Sequence, residues 1–218
     1  MRKIGILGGT FNPVHIGHLL MAQTVRETCG LDQVLLMPCH TPPHKTCDVL
    51  APAAERLAMV RLAIADDPGL GVCTLELARG GVSYAVDTMT AFRAAYPGCE
   101  PYFIMGMDSL RELHLWHCVE RLLLLCHFVV VARPGVERPV SPDELLLPAP
   151  WPERLLASVV QGRLCEVSSR EIRRRVAEKR PIRYLVMPAV EQHILRQGLY
   201  AGSGEDRAPV PAVQGDRH

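Results

Sequence analysis

Two histidines three residues apart, His15 and His18, stand directly behind a pair of glycines in Gly8-Gly9-Thr10-Phe11-Asn12-Pro13-Val14-His15-Ile16-Gly17-His18. A short apolar run, Lys3-Ile4-Gly5-Ile6-Leu7, precedes the glycines, and a helix-like stretch, His18-Leu19-Leu20-Met21-Ala22-Gln23, follows them. A strand, a glycine turn and a helix start together make an anion site. Glycines allow close backbone approach, and the unpaired N–H groups and positive dipole end of the helix face the anion. Spacing places both imidazoles on one helical face, aimed at whatever the turn holds. The chemistry this suits is phosphate chemistry.

Other readings of these residues are weaker. The Walker pattern needs Gly-Lys followed by Ser or Thr, and the turn contains no lysine. The dinucleotide fingerprint fails because the glycines fall at Gly5, Gly8, Gly9 and Gly17. A zinc-protease helix requires His-Glu-x-x-His, and Ile16 and Gly17 leave no glutamate base. Packing alone rarely needs two imidazoles beside paired glycines. No resident metal site is expected.

Further residue groups suit the same chemistry. Ser168-Ser169-Arg170-Glu171-Ile172-Arg173 reads as a strand end entering a helix. Its serines either cap that helix or donate to a phosphate, and Arg173 offers a forked cation. Arg170, Arg173, Arg174, Arg175, Lys179 and Arg180 have no interleaved aromatics and are interrupted by Glu171 and Glu178, which disfavours nucleic acid. Asp108 can bond a ribose hydroxyl, help place a cation, or cap the helix begun at Ser109. Trp116 can stack on a flat ligand ring or pack in the core. Pro42-Pro43-His44-Lys45 puts cations on a stiff loop, and Ser83-Tyr84-Ala85 opens a helix whose N–H groups can take a carboxylate.

In its first turn the chain resembles the (T/H)xGH nucleotidyltransferases, and the proline-valine-histidine form is similar to the bacterial nicotinate mononucleotide adenylyltransferases. Ordered matches continue through Pro42-Pro43-His44-Lys45, Ser83 to Thr88, Gly106-Met107-Asp108-Ser109, Leu113 to His117, Arg133-Pro134-Gly135, Val167 to Arg173 and Ile182 to Val186. The resemblance spans residues 1 to about 200. It implies transfer of the adenylyl group of ATP to nicotinate mononucleotide, giving nicotinate adenine dinucleotide and pyrophosphate, with Mg2+ accompanying ATP. It implies His15 and His18 as catalytic residues. Gly8, Gly9, Thr10, Phe11, Gly17, Gly106, Asp108, Arg133, Ser168, Ser169 and Arg173 fall to ATP. His44, Lys45, Ser83, Tyr84, Ala85 and Trp116 fall to the mononucleotide, with Trp116 near the nicotinate ring. The chain departs from the family at Arg170 and Ala85, both often threonine there, so carboxylate recognition passes to backbone amides. Nicotinamide mononucleotide and phosphopantetheine are the nearest rival acceptors, the latter disfavoured by chain length and by His15. A non-catalytic nucleotide-binding regulator is the rival from another class.

The elements must position these residues. Alternating short apolar runs and helical patterns predict an α/β, Rossmann-like, mainly parallel sheet with helices on both faces. Strands are expected at 3–7, 33–38, 72–77, 101–106, 128–132 and 164–167, and helices at 18–29, 53–65, 84–95, 119–125, 169–178 and 188–197. Ligands of such sheets lie beyond the carboxyl ends of the strands, where the chemical residues fall. A single domain is expected over 1–200, with an irregular proline-rich insertion at 134–165 and a disordered tail at 201–218. The 218 residues carry a net charge of +1, which gives no reason to expect nucleic acid or an anionic membrane as partner. Eight cysteines form no Cys-x-x-Cys pair, and with no leader or spanning segment a cytoplasmic location is expected. The sequence is compatible with a homo-oligomer and does not require one.

Overall fold

A computed structural model describes residues 1–41, 50–132 and 140–202. Its strands are β1 (Arg2–Gly9), β2 (Gln33–Pro38), β3 (Leu70–Val72), β4 (Cys99–Gly106), β5 (His127–Ala132) and β6 (Val159–Gln161). The helices are α1 (Ile16–Thr28), α2 (Ala53–Ala63), α3 (Leu75–Arg79), α4 (Ala85–Ala95), α5 (Met107–Arg111), α6 (Val119–Leu123), α7 (Trp151–Ala157), α8 (Ser169–Ala177) and α9 (Pro188–Arg196). The strands form one sheet in the order β3-β2-β1-β4-β5-β6, with every neighbouring pair parallel. This is the Rossmann-like α/β architecture the patterning predicts.

Strand alternation divides the core between the two faces of the sheet. Leu7, Val34, Leu36, Ile104, Val129 and Val131 belong to one apolar cluster, which also takes Val25 of α1, Val60 of α2, Ile172 of α8 and Ile194 of α9. Ile4, Ile6, Met37, Phe103, Met105, Phe128 and Val130 point the other way, against Met89 and Phe92 of α4, Leu122 of α6 and Leu155 of α7. Burial on both faces explains why the strands read as continuous apolar runs. Chain order reverses between β1 and β4, and that switch point opens a crevice at the strands' carboxyl ends.

Four expectations need correction. The sixth strand is Val159–Gln161, paired through Val130↔Val159, whereas 164–167 forms no strand and Leu164 is exposed. The third strand ends at Val72, and the rest of the 72–77 run turns into α3, whose Glu76 is buried and accepts a 2.6 Å bond from Thr88 Oγ1. Residues 134–165 are not irregular throughout, because Pro152 at the start of α7 tolerates a helix there. Helix α1 begins at Ile16 rather than at 18, so His15 is its extended N-cap residue and not part of its face. The seven cysteines among the described residues are free. No helix among them is long and apolar enough to cross a membrane.

Candidate active site

The turn after β1 is shaped by contacts that specify its residues. Phe11 is buried in the left-handed region (φ +47°), a conformation costing a non-glycine residue about 1–2 kcal/mol. Its ring lies under Gly9, where a Cβ would meet Phe11 Cζ at 3.1 Å. The same ring meets His18 edge-on at 5.0 Å. Asn12 anchors the turn: its Oδ1 accepts from Ala51 N at 3.1 Å and from Tyr200 Oη at 2.8 Å.

His15 and His18 stack with ring centroids 3.7 Å apart. The backbone N–H of His15 donates to His18 Nδ1 at 3.2 Å, so a neutral His18 carries its proton on Nε2 as an outward donor. Burial pushes the His15 pKa down from 6.5 to about 4, which keeps that imidazole neutral at pH 7. Its Nδ1 is buried without a hydrogen-bond partner among the described residues. Gly17 is required by close approach, since a Cβ there would meet His15 Cε1 and Nδ1, each at 3.1 Å. The turn therefore presents two closely packed imidazoles, with His15 held neutral by burial, beside a helix N-terminus.

Helix α8 brings the second anion turn against the first. Ser168 caps it, accepting from Glu171 N at 3.2 Å. Ser169 Oγ donates to Pro13 O at 2.9 Å, and Arg173 Nη1 donates to Asn12 O at 2.8 Å. These bonds join residues some 160 positions apart, and Arg173 also lines the cleft. The turn follows irregular chain rather than a strand.

The cleft measures about 730 Å³, within the range of small-molecule sites. Gly8, Gly9, Thr10, Phe11, His15, Gly17, His18, Asp108, Ser168, Ser169 and Arg173 all line it. Gly106 caps α5 two residues before Asp108 and is not among the lining residues. Arg133, His44 and Lys45 lie outside the described residues. The sequence reading missed Asn12, Gly162, Arg163, Cys165 and Arg170 as lining residues. Arg170 stood in a legible motif, whereas Gly162 and Arg163 follow the short β6 and carry no motif.

Ser83, Tyr84, Ala85 and Trp116 sit apart from that cleft. Tyr84 is the N-cap residue of α4 and Ala85 its first residue. Ser83 Oγ accepts from His40 N at 3.2 Å, and Ser83 N donates to Thr41 O at 3.1 Å. The Tyr84 ring packs 4.7 Å from His117, so the α4 turn meets the segment carrying Trp116. Trp116 is half-buried with its ring edge-on to Phe103 at 5.8 Å. Core packing and partial exposure thus coexist at this tryptophan.

Among the described residues, no three His, Cys, Asp or Glu side chains gather as a metal cage, and Asp108 is the only carboxylate lining the cleft. Such a donor set fits magnesium held chiefly by substrate phosphates, with Asp108 as a protein oxygen, because Mg2+ retains its waters and takes few protein ligands.

The cytidylyltransferase-like family model matches residues 6–175. A probable nicotinate-nucleotide adenylyltransferase of Syntrophotalea carbinolica is 43% identical over 91% of this chain and 97% of its own. Another, from Geobacter sulfurreducens, is 43% identical over 93% of this chain and 100% of its own. The solved Plasmodium falciparum nicotinic acid mononucleotide adenylyltransferase, complexed with NaAD, superposes with a TM-score of 0.73 at 17% identity, covering 92% of this chain and 98% of that one. The chain therefore belongs to the cytidylyltransferase-like nucleotidyltransferases and, within them, to the nicotinate-nucleotide adenylyltransferase family.

Proposed function

We propose that the protein transfers the adenylyl group of ATP to nicotinate mononucleotide. A phosphate oxygen of the mononucleotide attacks the α-phosphorus of ATP in line. The new P–O bond forms as the bond from the α-phosphorus to the α,β-bridging oxygen breaks, and pyrophosphate leaves with that oxygen. A phosphate monoester is already ionised near neutral pH, so no protein base is needed. Catalysis rests on positioning and on donors aimed at developing charge.

The observation that carries this reading is the meeting of two anion-binding turns, 8–18 and 168–173, across one cleft at the sheet's switch point. His18 donates from Nε2 to an α-phosphate oxygen, with His15, Thr10 and the N–H groups of the turn beside it. Arg173 and the start of α8 receive the β- and γ-phosphates. Asp108 is the residue that would hold a magnesium ion accompanying ATP, which would offset phosphate charge, or would bond the ribose. The α4 start supplies backbone N–H groups to the nicotinate carboxylate, Trp116 flanks the pyridine ring, and His44 and Lys45 serve the mononucleotide phosphate. Residues 1–200 act as one adenylyltransferase domain. The acceptor is a free mononucleotide rather than a nucleic acid, since Arg170 and Arg173 turn into the cleft while Arg175 and Arg180 pair with Glu171 and Glu178.

The test is His18→Ala. The account expects kcat to fall at least 100-fold while ATP binding, read by calorimetry, stays within threefold, because the donor acts mainly in the transition state. Retained turnover in this variant would remove the assigned role.

A further inference from the structure

Arg56 of α2 is 1% exposed, and its guanidinium donates to four main-chain carbonyls. Its Nε donates to Ala51 O at 3.1 Å, Nη1 to Thr10 O at 2.9 Å and to Cys39 O at 2.7 Å, and Nη2 to His40 O at 2.9 Å. Burying a guanidinium is costly, and an apolar side chain would pack the root of α2 as well. What an apolar side chain cannot do is hold three separate segments: the turn after β1, the end of β2 and the approach to α2. Guanidinium geometry suits this, because its planar fork fixes several acceptors in one arrangement.

The contacts continue beyond Arg56. His40 N donates to Ser83 Oγ, Ser83 N donates to Thr41 O, and Thr41 pairs with Val82 in a parallel bridge. Ser83 is itself buried and immediately precedes the cap of α4. A bonded path thus runs from Thr10 through Arg56 and His40 to Ser83. It connects the turn proposed to hold the α-phosphate with the turn proposed to hold the nicotinate carboxylate. In-line transfer depends on the spacing of those two subsites, and a misplacement of 1 Å can cost about 100-fold in rate.

We infer that Arg56 is a positioning residue that sets the relative placement of the two substrate subsites; the inference rests on the function proposed above. Arg56→Lys keeps the charge but loses the fork. With the variant folded, as judged by near-ultraviolet circular dichroism matching the parent, kcat for pyrophosphate release should fall at least 30-fold, while KM for ATP and for the mononucleotide each stay within threefold. A folded variant with kcat within threefold of the parent, or one altered only in KM, overturns the inference. Should Arg56→Lys not fold, amide exchange in the parent decides. A non-hydrolysable ATP analogue should slow exchange at His40 and Ser83 at least fivefold, and unchanged exchange at both overturns the inference. The parent is assayed alongside, and its failure to release pyrophosphate would count against the proposed function instead.

Discussion

At the scale of single residues, the turn between β1 and α1 is specified by close contacts. Gly17→Ala tests this, because the added Cβ would press on His15 at 3.1 Å while alanine suits the first helical turn. We expect kcat to fall at least tenfold with the thermal midpoint changed by less than about 3 °C; a fully active variant would show that the ring placement is not needed. His15 gives a pH prediction. Its folded pKa of about 4 lies below the unfolded 6.5, so between those values the unfolded chain binds the extra proton. Stability from this site is therefore unaffected above pH 7 and falls as pH drops, by about 2 kcal/mol at pH 5. Urea titrations at pH 7.5 and pH 5 should show His15→Asn losing less stability than the parent over this interval, and equal losses would refute burial as the cause. The two histidines were legible as a pair because their spacing from the glycines is local. Arg56 was not, because nothing near it in sequence indicates the carbonyls it holds.

Among the elements, those with long amphipathic patterns or clear end signals were read within about two residues, as α2, α4, α8 and α9 show. Short elements escaped. β6 has three residues and borrows its identity from pairing with β5, whereas the short, mostly apolar run at 164–167 offered a strand that no neighbour pairs. Val72 to Leu77 reads as strand by composition, yet Glu76 is drawn into a buried bond with Thr88 of α4, which favours a helix there. For α8, the serines at its start were readable either as a cap or as phosphate donors. Ser168 takes the first role, and Ser169 reaches Pro13 of the catalytic turn. Ser168→Ala should cost about 1 kcal/mol, lowering the thermal midpoint by about 2–4 °C. An unchanged midpoint would mean that Arg173 and Ser169 alone fix the helix start.

The whole molecule supplies what no element contains. The order β3-β2-β1-β4-β5-β6 places the end of β1 beside that of β4, so the glycine turn and Asp108 share one crevice. Chain from 162 to 173 also lines it, and Gly162 and Arg163 there carry no local pattern that announced them. The same fold brings the α4 start against the segment carrying Trp116 through the packing of Tyr84 on His117. The direct measurement is pyrophosphate release from MgATP with nicotinate mononucleotide, nicotinamide mononucleotide and phosphopantetheine assayed in parallel. The account predicts rapid release with the nicotinate form, at least tenfold slower release with the amide and none with phosphopantetheine. Release of pyrophosphate with none of the three, despite ATP binding, would contradict it.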